Sequence, residues 1–208
     1  MGERYYLQKL PYAYDELEPY LDRELLHAHH GMILQRAVDE LNIALDGRPE
    51  LQGMEAGELF ARARRLPGGL REEVRFWAGC LFCHEYYFSS LTAPLQGFPC
   101  PSETLLRALR KDLGSYQGML YDMKLLALQQ RENGFLWLVS DRRTRALQPV
   151  LTPGYLLPDL SRHRPLLALD LWEHAYCLQY RADKAAYLNQ LFCLLNWGLV
   201  EERYQGTH

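Results

Sequence analysis

The residues with the clearest chemical potential lie in one short run, Asp170 to Tyr176, where an aspartate and a histidine stand four positions apart among aromatic residues. Asp170 offers a hard oxygen ligand and His174 a nitrogen of intermediate softness. This mixture suits a redox-active first-row metal ion better than calcium or a structural zinc. On a continuous helix, however, the same spacing makes an ordinary surface hydrogen-bond pair. The run alone leaves both interpretations open.

Further histidines occur on two long helices that we predict in the first half of the chain. They are His27, His29 and His30 on the first helix and His84 on the second. If one histidine from each helix met Asp170 and His174, the site would hold three neutral imidazoles, one carboxylate and a fifth position for solvent. A single histidine on an apolar helix face is more often a core residue, so the hypothesis depends on the combination.

The cysteines suggest two other kinds of site. Cys80-Leu81-Phe82-Cys83-His84 has the spacing of a c-type haem attachment site, and Cys80 with Cys83 has that of a zinc or thiol-redox pair. The haem interpretation is disfavoured because it needs export, and the zinc interpretation because no second cysteine pair accompanies the first. The five cysteines are odd in number and irregularly spaced, which indicates reduced thiols.

Composition limits the class of protein. The chain has 208 residues, of which 48% are hydrophobic, enough for one large domain or two small lobes. A formal charge of -3 gives no basic surface for nucleic acid, and 24% charged with 12% aromatic residues argues against disorder. No secretory signal and no apolar run of membrane-spanning length is evident, so we expect a cytoplasmic protein without a membrane partner.

Helical periodicity dominates the first half of the chain. Apolar residues recur at three- and four-residue intervals from about Asp22 to Leu45, and an aromatic-rich helix is predicted from Leu70 to Leu91. A short helix is expected at 55–63 between them. The two long helices predict a hairpin, and the proline-containing segment Thr92 to Pro101 is the expected boundary between two lobes.

The second half mixes helices with strands. Helices are predicted from Ser102 to Leu113, onward to about Gln130, from Lys184 to Leu195 and from Trp197 to Arg203, and strands from Phe135 to Ser140, Ala146 to Leu151 and Pro165 to Asp170. The expected fold class is α+β, with an N-terminal α-hairpin lobe followed by an α/β lobe that carries a small, about three-stranded antiparallel sheet. We place the domains at 1–93 and 94–208.

Taken together, these residues resemble the iron/manganese superoxide dismutases over nearly the whole chain. The run from Asp170 to Tyr176 is similar to the family's D-x-W-E-H-A-Y signature. Supporting matches follow the family's order: Leu10 to Tyr14, Leu17 to Pro19, His29-His30, His84, Gly134, Trp137-Leu138, Tyr180-Arg181, Tyr187 and Asn196-Trp197.

The resemblance implies one iron or manganese ion per subunit between the two lobes, bound by His29, His84, Asp170 and His174. His27 and His30 are then not ligands. The implied reaction is superoxide dismutation, in which the oxidised metal takes an electron from one superoxide and the reduced metal gives it to another with two protons. The resemblance also implies a homodimer in which Glu173 of each subunit accepts a hydrogen bond from His174 of the other.

The chain departs from the family around the ligands rather than at them. Ala37 replaces a gateway tyrosine, Ile33 and Cys177 replace a histidine and tyrosine that meet between subunits, and Met32, Phe135 and Cys83 replace a lysine, a tryptophan and an asparagine. The family's outer glutamine, which holds the metal-bound solvent, falls at Cys80 or in the loop at Gly154 or Tyr155. Neither place holds a glutamine.

These replacements bear on turnover, because the partners of metal ligands tune the potential of the metal and the pKa of its solvent. We propose His30 and Tyr87 as replacements in the proton route if they face the cavity. Two alternatives stay open: a non-dismutase relative that uses the metal site structurally or for another redox reaction, and a metal-free interaction module.

Overall fold

The computed structural model describes residues 4–94 and 99–206, and within them it has the α+β architecture that the sequence predicts. Helices fill the first half of the chain. The second half combines two helices, a three-stranded sheet and a set of short C-terminal helices. Of the expected lobe boundary between Thr92 and Pro101, residues 95–98 lie outside the described residues.

The first long helix is continuous but not uniform. Helix α1 (Arg23–Leu26) runs into a π-helical segment (His27–Leu34), which continues as α2 (Gln35–Ala44). The Asp22 side chain caps its start by accepting a hydrogen bond from the Leu25 backbone N–H at 2.8 Å. The predicted bounds are therefore close, whereas the π-helical segment, a feature that often marks functional sites, was not predicted.

The second long helix completes a hairpin with the first. Helix α3 (Ala56–Arg62) and a 3₁₀ turn (Ala63–Arg65) lead into α4 (Gly68–Ser89), which packs against α2 and α3. Gly68 and Gly69 belong to the first turn of α4, which therefore begins two residues before the predicted start at Leu70. The reason is that Pro67, in extended conformation, already stops the preceding segment and caps α4.

Two helices precede the sheet, α5 (Glu103–Leu113) and α6 (Tyr116–Gln129). Ser102 and Ser115 cap them, each accepting a hydrogen bond from a backbone N–H three residues on. Between them Gly114 has a φ of 79°, a conformation that glycine adopts without a Cβ penalty.

The sheet has the order β2-β1-β3, with both pairs antiparallel: β1 (Gly134–Asp141), β2 (Leu147–Pro153) and β3 (His163–Asp170). Strand β1 lies in the centre, and its residues are almost all buried. Phe135 at the start of β1 pairs with Asp170 at the end of β3. Strand β3 thus ends with Asp170 at the end of the sheet that lies next to the helical lobe.

Short helices follow the sheet: a 3₁₀ turn (Glu173–Ala175), α7 (Cys177–Tyr180), α8 (Lys184–Leu191), a second 3₁₀ turn (Phe192–Leu194) and α9 (Trp197–Gln205). The helix predicted to end at Leu195 therefore ends as an α-helix at Leu191. Backbone hydrogen bonds from Thr92 N–H to Leu194 O and from Asn196 N–H to Ser90 O, both 2.8 Å, attach this region to the end of α4.

Among the described residues, no helix has the length and apolar character needed to cross a lipid bilayer.

One close contact between the lobes gives a stability test. A Cβ added to Gly79 in α4 would overlap the carbonyl oxygen of Tyr155, whereas a Cβ on Gly69 in the same helix would meet nothing within 4 Å. Alanine is the better helix former, so we expect Gly69→Ala to be neutral or stabilising by up to about 1 kcal/mol. Gly79→Ala should destabilise by about 1–3 kcal/mol, because backbone atoms must move.

Urea unfolding of the two variants measures the difference directly. Equal free energies of unfolding for Gly79→Ala and Gly69→Ala would contradict the close approach of α4 to the Tyr155 backbone.

Candidate metal centre

Four side chains from four parts of the fold converge between the helical hairpin and the sheet. His29 comes from the π-helical segment, His84 from α4, Asp170 from the end of β3 and His174 from the 3₁₀ turn that follows. One ligand atom of each lies within 4.8 Å of the others. The structure thus brings together all four residues that the sequence proposes as ligands.

The surface-pair interpretation of Asp170 and His174 is wrong. Asp170 ends a strand instead of lying on a helix, and its side chain is fully buried. His174 is in a short 3₁₀ turn and is 19% exposed. Because an ordinary surface pair needs two solvated side chains on one helix, the spacing of four has a different origin here.

One oxygen is the common point of the cluster. Oδ2 of Asp170 lies 3.2 Å from Nε2 of His29, 3.6 Å from Nε2 of His84 and 3.3 Å from Nε2 of His174. The Nε2 atoms of His84 and His174 are 3.4 Å apart. Two ligands about 2.1 Å from a metal ion and roughly 90–120° apart are separated by about 3.0–3.6 Å. The observed spacings fit one first-row ion between them.

Two atoms of the cluster lack hydrogen-bond partners among the described residues. Nε2 of His29 and Oδ2 of Asp170 are both buried and unpaired. Leaving a buried polar atom unpaired costs about 1–3 kcal/mol, and more when the group is charged. A cation at the centre would remove this cost, so the donor set fits a metal ion on the chemistry of its own atoms.

His84 is held in the tautomer that a metal ligand needs. Its Nδ1 lies 2.8 Å from the carbonyl oxygen of Cys80, which can only accept, so Nδ1 carries the proton and Nε2 presents a lone pair to the cluster. Burial, followed by repulsion from His29, lowers the pKa of His84 to about 3. Burial also lowers the pKa of His29. Both rings are therefore neutral at physiological pH.

Asp170 is the charged member of the set. Burial by itself would raise its pKa, but the close histidines, first His174 and then His29, outweigh burial and hold that pKa below the usual range. Its Oδ1 accepts a hydrogen bond from the Trp172 backbone N–H at 2.8 Å, which fixes the carboxylate and turns Oδ2 towards the histidines. The charged carboxylate and the neutral rings of His29 and His84 therefore face the same centre.

Aromatic rings enclose the cluster. His29 stacks on Tyr87 with ring centroids 5.3 Å apart and meets the edge of Phe88 at 4.9 Å. Trp172 stacks between His174, at 5.4 Å, and Tyr155, at 4.5 Å. Such packing keeps bulk water away and strengthens every electrostatic interaction inside.

His30 lies next to a ligand but faces a different environment. Its Nε2 is 2.9 Å from the carbonyl oxygen of Gln8 and so carries the proton, which leaves Nδ1 to accept a hydrogen bond from the Tyr14 hydroxyl, also at 2.9 Å. Burial lowers its pKa. The ring lines a cavity of about 530 Å³ formed mainly by residues 7–15 of the N-terminal arm, which comprises residues 4–22. The structure thus keeps His30 out of the four-residue cluster.

Tyr87 does touch the cluster, through its ring on His29. Its hydroxyl is 3.2 Å from the Tyr187 hydroxyl, which in turn donates to the backbone oxygen of Asp170 at 3.0 Å. Burial raises the pKa of both phenols well above their usual value, so both stay protonated. A hydrogen-bonded path therefore connects Tyr87 to the residue that carries the carboxylate.

Tyr155 is a site residue to which sequence reasoning gave no role. Its ring lies 5.6 Å from His84, and Cys80 Sγ lies 3.4 Å from Nδ1 of the same histidine. Burial raises the pKa of the Cys80 thiol to about 12, an effect that hydrogen bonding from the Tyr155 side chain opposes. The family's outer glutamine falls at Cys80 or in the loop at Gly154 or Tyr155, and neither place holds a glutamine. The sequence therefore gave no sign that the Tyr155 side chain lies against Cys80 and His84.

The other departures from the family are buried or half-buried, except Met32, which is exposed. Ala37 and Cys83 are fully buried in the two long helices, and Cys177 is half-buried at the start of α7. Cys80 and Cys83 are free thiols inside α4. With no third or fourth ligand grouped with them among residues 4–94 and 99–206, they do not form a zinc cluster.

Comparison with known proteins indicates a family for this chain. Residues 4–92 match the α-hairpin domain of the iron/manganese superoxide dismutases, and residues 101–203 match their C-terminal domain. A superoxide dismutase [Mn] of Thermus aquaticus is 31% identical over 97% of this chain and 97% of its own length. Superoxide dismutase [Mn] 2 of Bacillus anthracis is 30% identical, over 95% and 93%. A superoxide dismutase [Mn] of Thermus thermophilus is 31% identical, over 96% of each chain.

Both matched domains occur here in the family's order and together span most of the chain. The chain belongs to the iron/manganese superoxide dismutase family.

Proposed function

We propose that the chain is a metal-dependent superoxide dismutase that converts superoxide into O₂ and H₂O₂. The observation that carries this proposal is the buried cluster of three imidazole Nε2 atoms around one carboxylate oxygen. Relatives named as manganese superoxide dismutases over nearly their full length support it.

The proposed ligands are Nε2 of His29, His84 and His174 and Oδ2 of Asp170, with one ion per subunit. The ion would supply a redox couple that takes an electron from one superoxide and returns it to another. We favour manganese over iron because the compared relatives are named as manganese enzymes.

The charges of the ligands suit an anionic substrate. Asp170 contributes one negative charge and the buried imidazoles contribute none, so a bound divalent or trivalent cation leaves the centre net positive. A positive centre in a site enclosed by aromatic rings attracts superoxide strongly, because the local dielectric constant is low.

Protons must accompany the second electron, and we assign this task to His30 and the orientation of a ligand to Tyr87. His30 follows the proposed ligand His29 in the chain and lines the cavity beside the N-terminal arm, where it bonds to Tyr14 and Gln8. Tyr87 is joined to Tyr187 and, through it, to the Asp170 backbone. In this proposal His30 passes protons inward from the cavity, whereas Tyr87 orients His29 by stacking and keeps its own proton.

The partner in this proposal is a second copy of the chain. Glu173 is exposed beside His174, and no described residue of the same chain accepts a hydrogen bond from His174 Nδ1. A homodimer in which Glu173 of each subunit accepts from His174 of the other would satisfy that nitrogen and orient the ring. The domain division at 1–93 and 94–208 and the cytoplasmic location stay predictions.

A second candidate function rests on the residues around His84. Where the family has other hydrogen-bond partners, this chain has Cys80 and Tyr155. Such partners set the potential of a metal, so the same ligands could serve a different redox reaction or a structural role. Stoichiometric manganese or iron without superoxide turnover at any pH would favour this alternative.

Removing a ligand tests the metal site itself. We expect His84→Ala to lose most bound metal and at least about 100-fold of the superoxide turnover, since even outer partners of metal ligands contribute 10–100-fold. His27→Ala, an exposed histidine on the same long helix as His29, is the matched control and should keep both. Elemental analysis and superoxide decay give the two measurements.

If His84→Ala kept full turnover per protein chain, the activity would not depend on the cluster and the proposal would fail.

Removing the Tyr155 hydroxyl tests its influence on the centre. We expect Tyr155→Phe to keep its metal but to change turnover or metal affinity by about 10–100-fold, because the phenol bonds to the Cys80 thiol, which lies 3.4 Å from Nδ1 of His84. Tyr121→Phe, at an exposed tyrosine of α6, is the control. An unchanged reduction potential and unchanged turnover in Tyr155→Phe would show that the hydroxyl only fills space.

The dimer can be tested at Glu173. We expect Glu173→Ala to weaken the dimer and to lower metal affinity, because Nδ1 of His174 then lacks its acceptor. Glu72→Ala, at an exposed glutamate of α4, should change neither. Sedimentation equilibrium measures the dimer. A Glu173→Ala variant that is monomeric but keeps its metal content would refute the assignment of Glu173 as the acceptor for His174.

A further inference from the structure

A second cavity, separate from the metal centre, is lined by three arginines. It has a volume of about 360 Å³, and Arg142, Arg164 and Arg203 line it together with the aromatic rings of Phe82 and Tyr86. No carboxylate is among the lining residues. Neither the fold nor the proposed reaction accounts for three guanidinium groups around one space.

The position of this arginine cavity excludes it from the metal centre. Phe82 and Tyr86 stand two residues before and after His84 on α4, and at about 100° per residue they project from the opposite side of the helix. Arg164 lies near the start of β3, six residues before Asp170, which corresponds to about 20 Å of strand. A ligand in the arginine cavity would not touch the proposed metal.

The positive charges form no close ion pairs among the described residues, although the charge of Glu202 acts on Arg203. None of the three guanidinium groups has a carboxylate oxygen within 4.0 Å among the described residues. The acidic neighbour of Arg142, Asp141, is paired with Arg162 at 3.2 Å and also accepts bonds from its own turn. Arg203 is buried, Arg164 is half-buried and Arg142 is exposed, so the cavity is partly open to solvent. Like charges that line one space repel one another, and an anion between them would be stabilised.

Arg203 is the fixed member of the group. It is 5% exposed, its terminal nitrogens donate to Leu166 O at 3.0 Å and Ser89 Oγ at 2.8 Å, and it lies 4.3 Å over the ring of Tyr86. Its Nε is buried without a partner among the described residues. Neutral acceptors thus hold the buried charge of Arg203 in place, and its Nε–H stays available as a donor.

The other two arginines keep more donors available. Arg142 donates from Nε to Leu160 O at 2.9 Å, which leaves its terminal nitrogens without a described partner. Arg164 donates from one terminal nitrogen to Arg203 O at 3.2 Å, which leaves Nε and the other terminal nitrogen. The planar guanidinium fork matches the oxygen spacing of phosphate and can bind it through two parallel hydrogen bonds.

We propose that the arginine cavity binds a phosphoryl group, with Arg203 as its fixed charge and Arg142 and Arg164 as its mobile donors. The group has two possible sources, free inorganic phosphate and the phosphate of a nucleotide. A nucleotide would differ from the free anion by bringing a base against the aromatic lining of Phe82 and Tyr86.

Calorimetric titration of the metal-loaded protein with inorganic phosphate, at constant ionic strength in chloride, tests this site. We expect Arg142→Gln and Arg164→Gln each to weaken binding about tenfold or more, the effect of removing a charge-assisted hydrogen bond. Arg143→Gln removes the same charge from an exposed arginine of the same turn that does not line the cavity, and should leave the affinity unchanged. Circular dichroism checks that each variant is folded.

If Arg143→Gln and Arg164→Gln weakened phosphate binding equally, the binding would reflect general surface charge and the proposal would fail. Phosphate binding no tighter than chloride binding would also overturn it. Phosphate at the metal centre is tested with His84→Ala: unchanged phosphate affinity supports the arginine cavity, whereas lost affinity overturns it. Adenosine monophosphate binding more tightly than phosphate would assign a nucleotide, and equal affinity would assign the free anion. Superoxide turnover should be the same in Arg142→Gln, Arg164→Gln and the unaltered protein.

Discussion

The burial of one carboxylate among three imidazoles is the constraint on which the rest of this structure depends. Asp170 is fully buried and charged, and its Oδ2 has no hydrogen-bond partner among the described residues. A buried charge without compensation is costly enough to prevent folding or to change its own protonation. The neutral rings of His29 and His84 do not supply the missing positive charge, so a metal ion is the natural counterpart.

The fold brings each ligand to this point from a different direction. The sheet register places Asp170 opposite Phe135, next to the face of α4 that carries His84. Adjacent residues of a helix point in different directions, so His29 meets the cluster and His30 meets the N-terminal arm. Gly79 permits the Tyr155 loop to approach α4. The proposed ligands are therefore held by rigid elements rather than by flexible loops.

Much of the fold was predictable because its signals are local. The three- and four-residue periodicity gave both long helices, and the apolar β-rich runs gave all three strands within a few residues. The proposed ligand set came from the resemblance, since Asp170 and His174 alone were compatible with a surface pair. Only the tertiary structure excludes that surface pair, because Asp170 ends a strand and its carboxylate is buried.

Features that depend on long-range packing could not be predicted in the same way. No local pattern indicates that Tyr155 packs against His84, that both nitrogens of His30 are engaged away from the cluster, or that His27–Leu34 is π-helical. The arginine cavity is a similar case, because Arg142, Arg164 and Arg203 are distant in sequence and meet only when α9 packs beside β3. Sequence periodicity records which face is apolar, but not which polar atoms meet across elements.

Anomalous diffraction from crystals, recorded at the manganese and iron absorption edges, tests the central claim most directly. The account predicts one peak per chain, about 2.0–2.2 Å from Nε2 of His29, His84 and His174 and from Oδ2 of Asp170. A cluster without a peak, in which water or direct hydrogen bonds satisfy Oδ2 of Asp170, would contradict it.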